Sequence, residues 1–82
     1  MKDIQYSKQA AKKLARMPKN TARRILDTVE AYAGGDTDGL DVKVLKGSIY
    51  SRIRVADWRI IIDDKGTVLF VIKVAARGDV YK

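Results

Sequence analysis

From Thr67 to Ala75 the chain reads TVLFVIKVA, its longest nearly unbroken apolar run. A run of that length rich in β-branched residues predicts a central strand covered on both faces for most of its length. Lys73 interrupts it, on the face that strict alternation shares with Leu69, Val71, Ala75 and Arg77. That face should therefore open to solvent at its far end. Just upstream, residues 49–63 read IYSRIRVADWRIIID, two alternating runs joined by a tight turn. In the first run Tyr50, Arg52 and Arg54 share one face, and Ser51, Ile53 and Val55 share the other. In the second, Arg59 and Ile61 oppose Ile60 and Ile62. Asp63-Asp64-Lys65-Gly66 predicts a turn between the second run and the apolar strand, with Gly66 free to take positive φ.

The N-terminal half has a different period. Asp3 to Tyr6 is a short extended segment with Ile4 and Tyr6 on one face. Ser7 is a suitable N-cap, and Ala10, Ala11, Leu14 and Met17 then follow helical spacing. Pro18 ends that helix near Met17. A second helix starts at Lys19 or Asn20, with Ala22, Ile25, Leu26, Val29, Tyr32 and Ala33 on its apolar face, and Gly34-Gly35 stops it. After a polar loop, Leu40, Val42 and Val44 alternate with Asp41 and Lys43 as a short strand ending before Lys46-Gly47. The order β-α-α-β-β-β-β, with short late turns, predicts one α+β domain over residues 1–82. Its architecture is an N-terminal strand and an antiparallel helical hairpin packed on a mainly antiparallel sheet of four to five strands.

Composition narrows the chemistry. The 82 residues contain no histidine and no cysteine. Zinc enzymes, Ser-His-Asp hydrolases and two-histidine nucleases are excluded by inventory, and no metal or other cofactor is expected. No apolar run approaches the ~20 residues of a membrane span, and the N-terminus lacks the apolar core of a secretory signal, so the expectation is a cytoplasmic protein without a membrane partner. The formal charge of +7 favours polyanions or an acidic protein partner. Charge is also segregated. Between Lys8 and Arg24 every charged residue is basic, and between Asp27 and Asp41 every one is acidic. On a helical hairpin such runs read first as solvated faces.

The three arginines of residues 52–59 need a different account, because a guanidinium is not left unpaired in a core. One face of the hairpin must meet water, acidic groups or phosphate. Arg52, Arg54, Arg59, Lys73 and Arg77 are positioned to converge at one end of the sheet face opposite the helices. Arginine donates bidentately and stays charged, which suits phosphate. Tyr50, Trp58 and Tyr81 interleave aromatic surface of the kind unstacked RNA bases use, although packing under a turn accounts for Trp58 more simply.

In order, KVLKG, YSRIRVADWRIIID and VIKVAARGDVY resemble the RelE/ParE superfamily of bacterial toxins, and within it the RelE branch. The resemblance spans nearly the whole chain. It rests on the L-K-G turn at Leu45 to Gly47, the basic strand at Tyr50 to Arg54, the pair Trp58-Arg59 and the R-x-D-V-Y ending at Arg77 to Tyr81. It implies the toxin of a type II toxin–antitoxin pair: a metal-independent endoribonuclease (mRNA interferase) that cuts mRNA in the ribosomal decoding site and arrests growth by blocking translation. Within it, Arg59 and Arg77 would hold the scissile phosphate and stabilise its added charge, and Tyr81 would orient the target base or assist proton transfer. Arg52, Arg54, Tyr50, Lys46 and Lys73 would hold RNA. Many relatives carry glycine-histidine before the last arginine, where this chain has Ala75-Ala76. Arginine is a poor general base, which leaves Tyr81, Lys73 or Lys46 for that role.

Two other readings stay open on the sequence: a ParE-like inhibitor of DNA gyrase without RNase activity, and a basic RNA-binding module without catalysis. The toxin reading implies as partners the ribosome, mRNA and a cognate antitoxin whose acidic segment covers Arg59 and Arg77. Asp3 to Tyr6 and the basic first helix are further docking surfaces for it. Operator DNA would be bound by the complex through the antitoxin.

Overall fold

A computed structural model describes residues 2–76. Arg77 and Tyr81, two of the three residues to which the resemblance assigns catalysis, lie outside the described residues. The elements run β1 (Asp3–Tyr6), α1 (Lys8–Arg16), α2 (Lys19–Ala33), β2 (Asp41–Val44), β3 (Ser51–Val55), β4 (Trp58–Asp64) and β5 (Val68–Ala76). The class and order are those the alternation predicts.

Local chemistry fixes each boundary. The Ser7 hydroxyl accepts the Ala10 N–H at 3.0 Å and caps α1. Met17 closes α1 in extended conformation, Pro18 is the N-cap of α2, and α2 begins at Lys19. At the other end of α2, the Gly35 N–H reaches the Tyr32 carbonyl and the Asp36 N–H reaches the Ala31 carbonyl. These are the two bonds of a Schellman close, and the residue that must be left-handed is Gly35, at φ +87.

The sheet order is β1-β5-β4-β3-β2. β2 to β5 form an antiparallel meander, and β1 adds to β5 in parallel. β5 is thus internal, but β4 occupies the middle. Both helices cover one face only. On that face Ile53, Ile60, Ile62, Leu69, Val71 and Val74 meet Ala10, Met17, Ile25, Val29 and Ala33. Each fully buried aliphatic side chain here contributes about 1.5–3 kcal/mol relative to exposure. Ala11, which helical spacing assigned to the stripe, is exposed, so α1 packs through Ala10, Leu14 and Met17.

Two expectations for β5 are corrected. Its second face is not covered along its length: Phe70 is 36% exposed there, because among the described residues no layer packs on that side. Lys73 does not share a face with Leu69 and Val71. The register passes from Ile62↔Val71 to Ile61↔Lys73, which leaves Ile72 as an extra residue on β5. That bulge inverts the alternation beyond it. Val74 turns into the core, and Lys73 and Ala75 turn to the open face.

A candidate nucleic-acid interface

Strand register builds the open face in cross-strand rows. One row is Asp41, Arg54, Arg59 and Ala75 across β2, β3, β4 and β5; the next is Lys43, Arg52, Ile61 and Lys73. Residues directly opposite in such rows have Cβ atoms roughly 4.5–5.5 Å apart, with diagonal neighbours within reach of long side chains. Arg52, Arg54, Arg59 and Lys73 therefore form one cluster, near the end of the sheet where β5 finishes.

The floor of the cluster is apolar: Ile61 is 7% exposed and Ala75 3%. A low-dielectric floor strengthens any charge interaction made above it. Arg52 donates from Nη2 to Asp41 Oδ1 at 2.9 Å, and its side chain is 12% exposed. Its Nε is buried with no hydrogen-bond partner among the described residues, and so is Nη1 of Arg59. A buried charged donor left unmatched costs about 1–3 kcal/mol or more. Arg54 lies directly opposite Arg59, a like-charge pair that opposes the fold. It is exposed and makes one long contact, from Nε to the Ala56 carbonyl at 3.4 Å. The arrangement is a half-buried positive surface with more donors than acceptors, suited to an anion with several oxygens.

The remaining residues singled out from sequence fall elsewhere. Lys46 is exposed in the β2–β3 loop. That loop joins β3 at its far end, about 13 Å from Arg54 at the strand rise per residue. Tyr50 is half-buried and closes the same loop by accepting the Leu45 N–H at 3.0 Å. Trp58 faces the helices, packs against the core, and lines a hollow of about 270 Å³ with Lys13, Arg16, Met17 and Pro18. Its indole supports the turn and does not belong to the arginine face. Among the described residues no cluster of histidine, cysteine, aspartate and glutamate forms a metal site.

Alternation put Ile61 on the face of Arg59, and there it forms the floor. Two features escaped the sequence pattern. Asp41, in the acidic run, orients Arg52. Gln9, an unremarkable polar position on α1, donates from Nε2 to the Val74 carbonyl and accepts the Val74 N–H at Oε1, both at 3.1 Å. Neither has a local signature, since each depends on what lies across the sheet.

The perturbed ionisable groups lie away from the arginines. Asp64 is held below the usual carboxylate range by the Gly66 N–H at 2.9 Å, then by Lys2 at 3.3 Å and the Tyr32 hydroxyl at 3.2 Å. Tyr32 is raised by burial and by its bond to Asp64, and Tyr6 by burial and by Glu30.

No protein-family model matches the chain, and no curated protein sequence does. Solved structures do match. A chain of the RelB-RelE antitoxin–toxin complex from Methanococcus jannaschii is 29% identical, with 94% of each chain covered and a TM-score of 0.77. A chain of the archaeal RelE-RelB complex from Pyrococcus horikoshii OT3 is 28% identical, covering 95% of this chain and 97% of that one, with a TM-score of 0.76. YafQ from Escherichia coli strain BL21(DE3) shares the fold over the full length of both chains at 20% identity and a TM-score of 0.69. In fold and in its structural neighbours the chain is RelE-like.

Proposed function

We propose that this chain is the toxin of a type II toxin–antitoxin pair and a metal-independent endoribonuclease that cuts mRNA in the ribosomal decoding site. The observation that carries the nuclease reading is the unmatched arginine surface: buried guanidinium donors of Arg52 and Arg59 over an apolar floor, flanked by Arg54 and Lys73. The Methanococcus jannaschii neighbour is from a RelB-RelE antitoxin–toxin complex and the Pyrococcus horikoshii one from a RelE-RelB complex, which supports a proteinaceous antitoxin as partner.

The chemistry follows from what those groups offer. The ribose 2′-hydroxyl attacks the adjacent phosphorus, the bond to the 5′-oxygen breaks, and a 2′,3′-cyclic phosphate and a 5′-hydroxyl result. Negative charge grows on the non-bridging oxygens, where Arg59 and Arg77 stabilise it. Arg52 and Arg54 hold the flanking backbone, and the ribosome supplies the in-line geometry. The proton leaving the 2′-oxygen needs an acceptor, and the departing 5′-oxygen takes up a proton, from that acceptor or from water, to become the hydroxyl. Lys73 adjoins Arg59 diagonally, whereas Lys46 sits at the other end of β3, so the candidates reduce to Lys73 and Tyr81.

The deciding experiment maps 5′ ends of mRNA incubated with the protein, with and without programmed ribosomes. Cuts confined to the decoding site, dependent on ribosomes and lost in Arg59→Ala and Arg77→Ala, are expected. Absence of cuts under both conditions, with inhibition of DNA gyrase instead, would overturn the nuclease reading.

A further inference from the structure

The bulge at Ile72 decides whether Lys73 joins the arginines or the core, and its outer side is held by side chains. β1 pairs with β5 only as far as Tyr6↔Val71, and the Ser7 N–H then bonds the Val71 carbonyl at 2.9 Å. Beyond that point the chain turns into α1, and the edge of β5 would stand unpaired. Two side chains take over the ladder. The Ser7 hydroxyl donates to the Ile72 carbonyl at 2.6 Å, at the bulged residue itself. Gln9 then both donates to and accepts from Val74, as a neighbouring strand would.

We infer that Gln9 is a positioning residue: its carboxamide substitutes for a missing strand and locks the bulge, thereby holding Lys73 on the arginine face. The inference rests on the RNA-binding reading of that face. Gln9 lies on α1, on the other side of β5 from Arg59, and so acts through the backbone of Val74 without touching RNA. Without these two bonds β5 could shed the bulge, since strict alternation would return Lys73 to the side of Leu69 and Val71. Burying an amine there is unfavourable, so the end of β5 would detach from Gln9 and interchange between registers.

Gln9→Met keeps the length and removes both bonds. Proton NMR of the full chain reads the register directly: wild type gives cross-strand contacts between Lys73 and Ile61, and slow hydrogen exchange at the Val74 amide. In Gln9→Met the contacts weaken and exchange at Val74 accelerates, while the Ile60 amide, in the middle of the sheet, is unchanged. Binding of a single-stranded oligoribonucleotide weakens about tenfold, as for loss of one charge-assisted contact. Lys73→Gln weakens it similarly, and the double variant is no worse than Lys73→Gln alone. Gln9→Glu, which keeps only the acceptor, falls between. Intact Lys73–Ile61 contacts in Gln9→Met, or losses that add in the double variant, would overturn the inference. If wild type binds no RNA, the functional reading fails, and the contacts and exchange still decide whether Gln9 holds Lys73.

Discussion

Arg59 concentrates the conflict between stability and use in this chain. Its Nη1 is buried and unmatched among the described residues, and Arg54 stands directly opposite. Under the proposed function, removing such a group relieves the fold and disables the site. Arg59→Ala is expected to lower ribosome-dependent cleavage by roughly 10²–10³-fold, the usual effect of losing one transition-state donor. The same variant should unfold at a temperature no lower than wild type. A paired single-turnover cleavage assay and thermal melt check both halves; a large drop in melting temperature would mean that Arg59 is structural. Arg54→Thr isolates the repulsion, because Arg54 is exposed and threonine suits a strand. Its expected gain is a few tenths of a kcal/mol, up to about 1 kcal/mol, measured by urea unfolding. Strain is stored at a second residue. Ala56, in the two-residue loop joining β3 to β4, has φ 52. A left-handed alanine costs roughly 1–2 kcal/mol, part of which is returned to the unfolded chain when glycine replaces it. Ala56→Gly is expected to stabilise by about 0.5–1 kcal/mol in the same assay.

Among the elements, the β4–β5 turn is tied to the rest by one carboxylate. Asp64 accepts from Gly66 in the turn, from Lys2 before β1 and from Tyr32 on α2. Its folded pKa is depressed, so its contribution is present above the unfolded value, near 3.9, and is lost as pH falls through the folded value. Asp64→Asn should therefore be less stable than wild type near neutral pH, and the gap should close on acidification below that window. Urea midpoints at a series of pH values measure this, and a gap constant down to the acid limit would assign Asp64 no such role. Local patterning made most of these elements legible. Pro18 and the paired glycines marked the helix ends, and alternation placed Arg52, Arg54 and Arg59 on one face because β3 and β4 pair without interruption. It failed on Lys73 because a bulge is a property of pairing between strands. Ile72 has no turn residue beside it to announce one. What holds the bulge, Ser7 and Gln9, lies 65 residues away in sequence. The catalytic carry-over of Arg77 and Tyr81 rests on the motif R-x-D-V-Y, beyond the described residues.

Among the described residues, basic surfaces lie on opposite sides of one sheet, and they differ in how far their side chains are buried. On the helical side Lys8, Lys12, Arg16, Lys19, Arg23 and Arg24 are exposed, spread along the hairpin and free to stay hydrated. On the open side Arg52 and Arg59 are half-buried beside Ile61 and Ala75, and among the described residues each has a buried donor without an acceptor. A polyanion gains most where desolvation has already occurred, so the open face should dominate RNA affinity although the helices hold more charge. Salt titration separates the two sides. For single-stranded nucleic acid each neutralised phosphate contributes about 0.7 to the slope of log affinity against log salt. Arg54→Gln and Lys73→Gln should each reduce the slope by about that amount. Lys12→Gln and Arg23→Gln, which remove equal charge from the other side, should leave it nearly unchanged. Equal reductions from all four variants would mean that RNA responds only to the net charge of +7, and the built surface between β3, β4 and β5 would lose its claim to be the binding site.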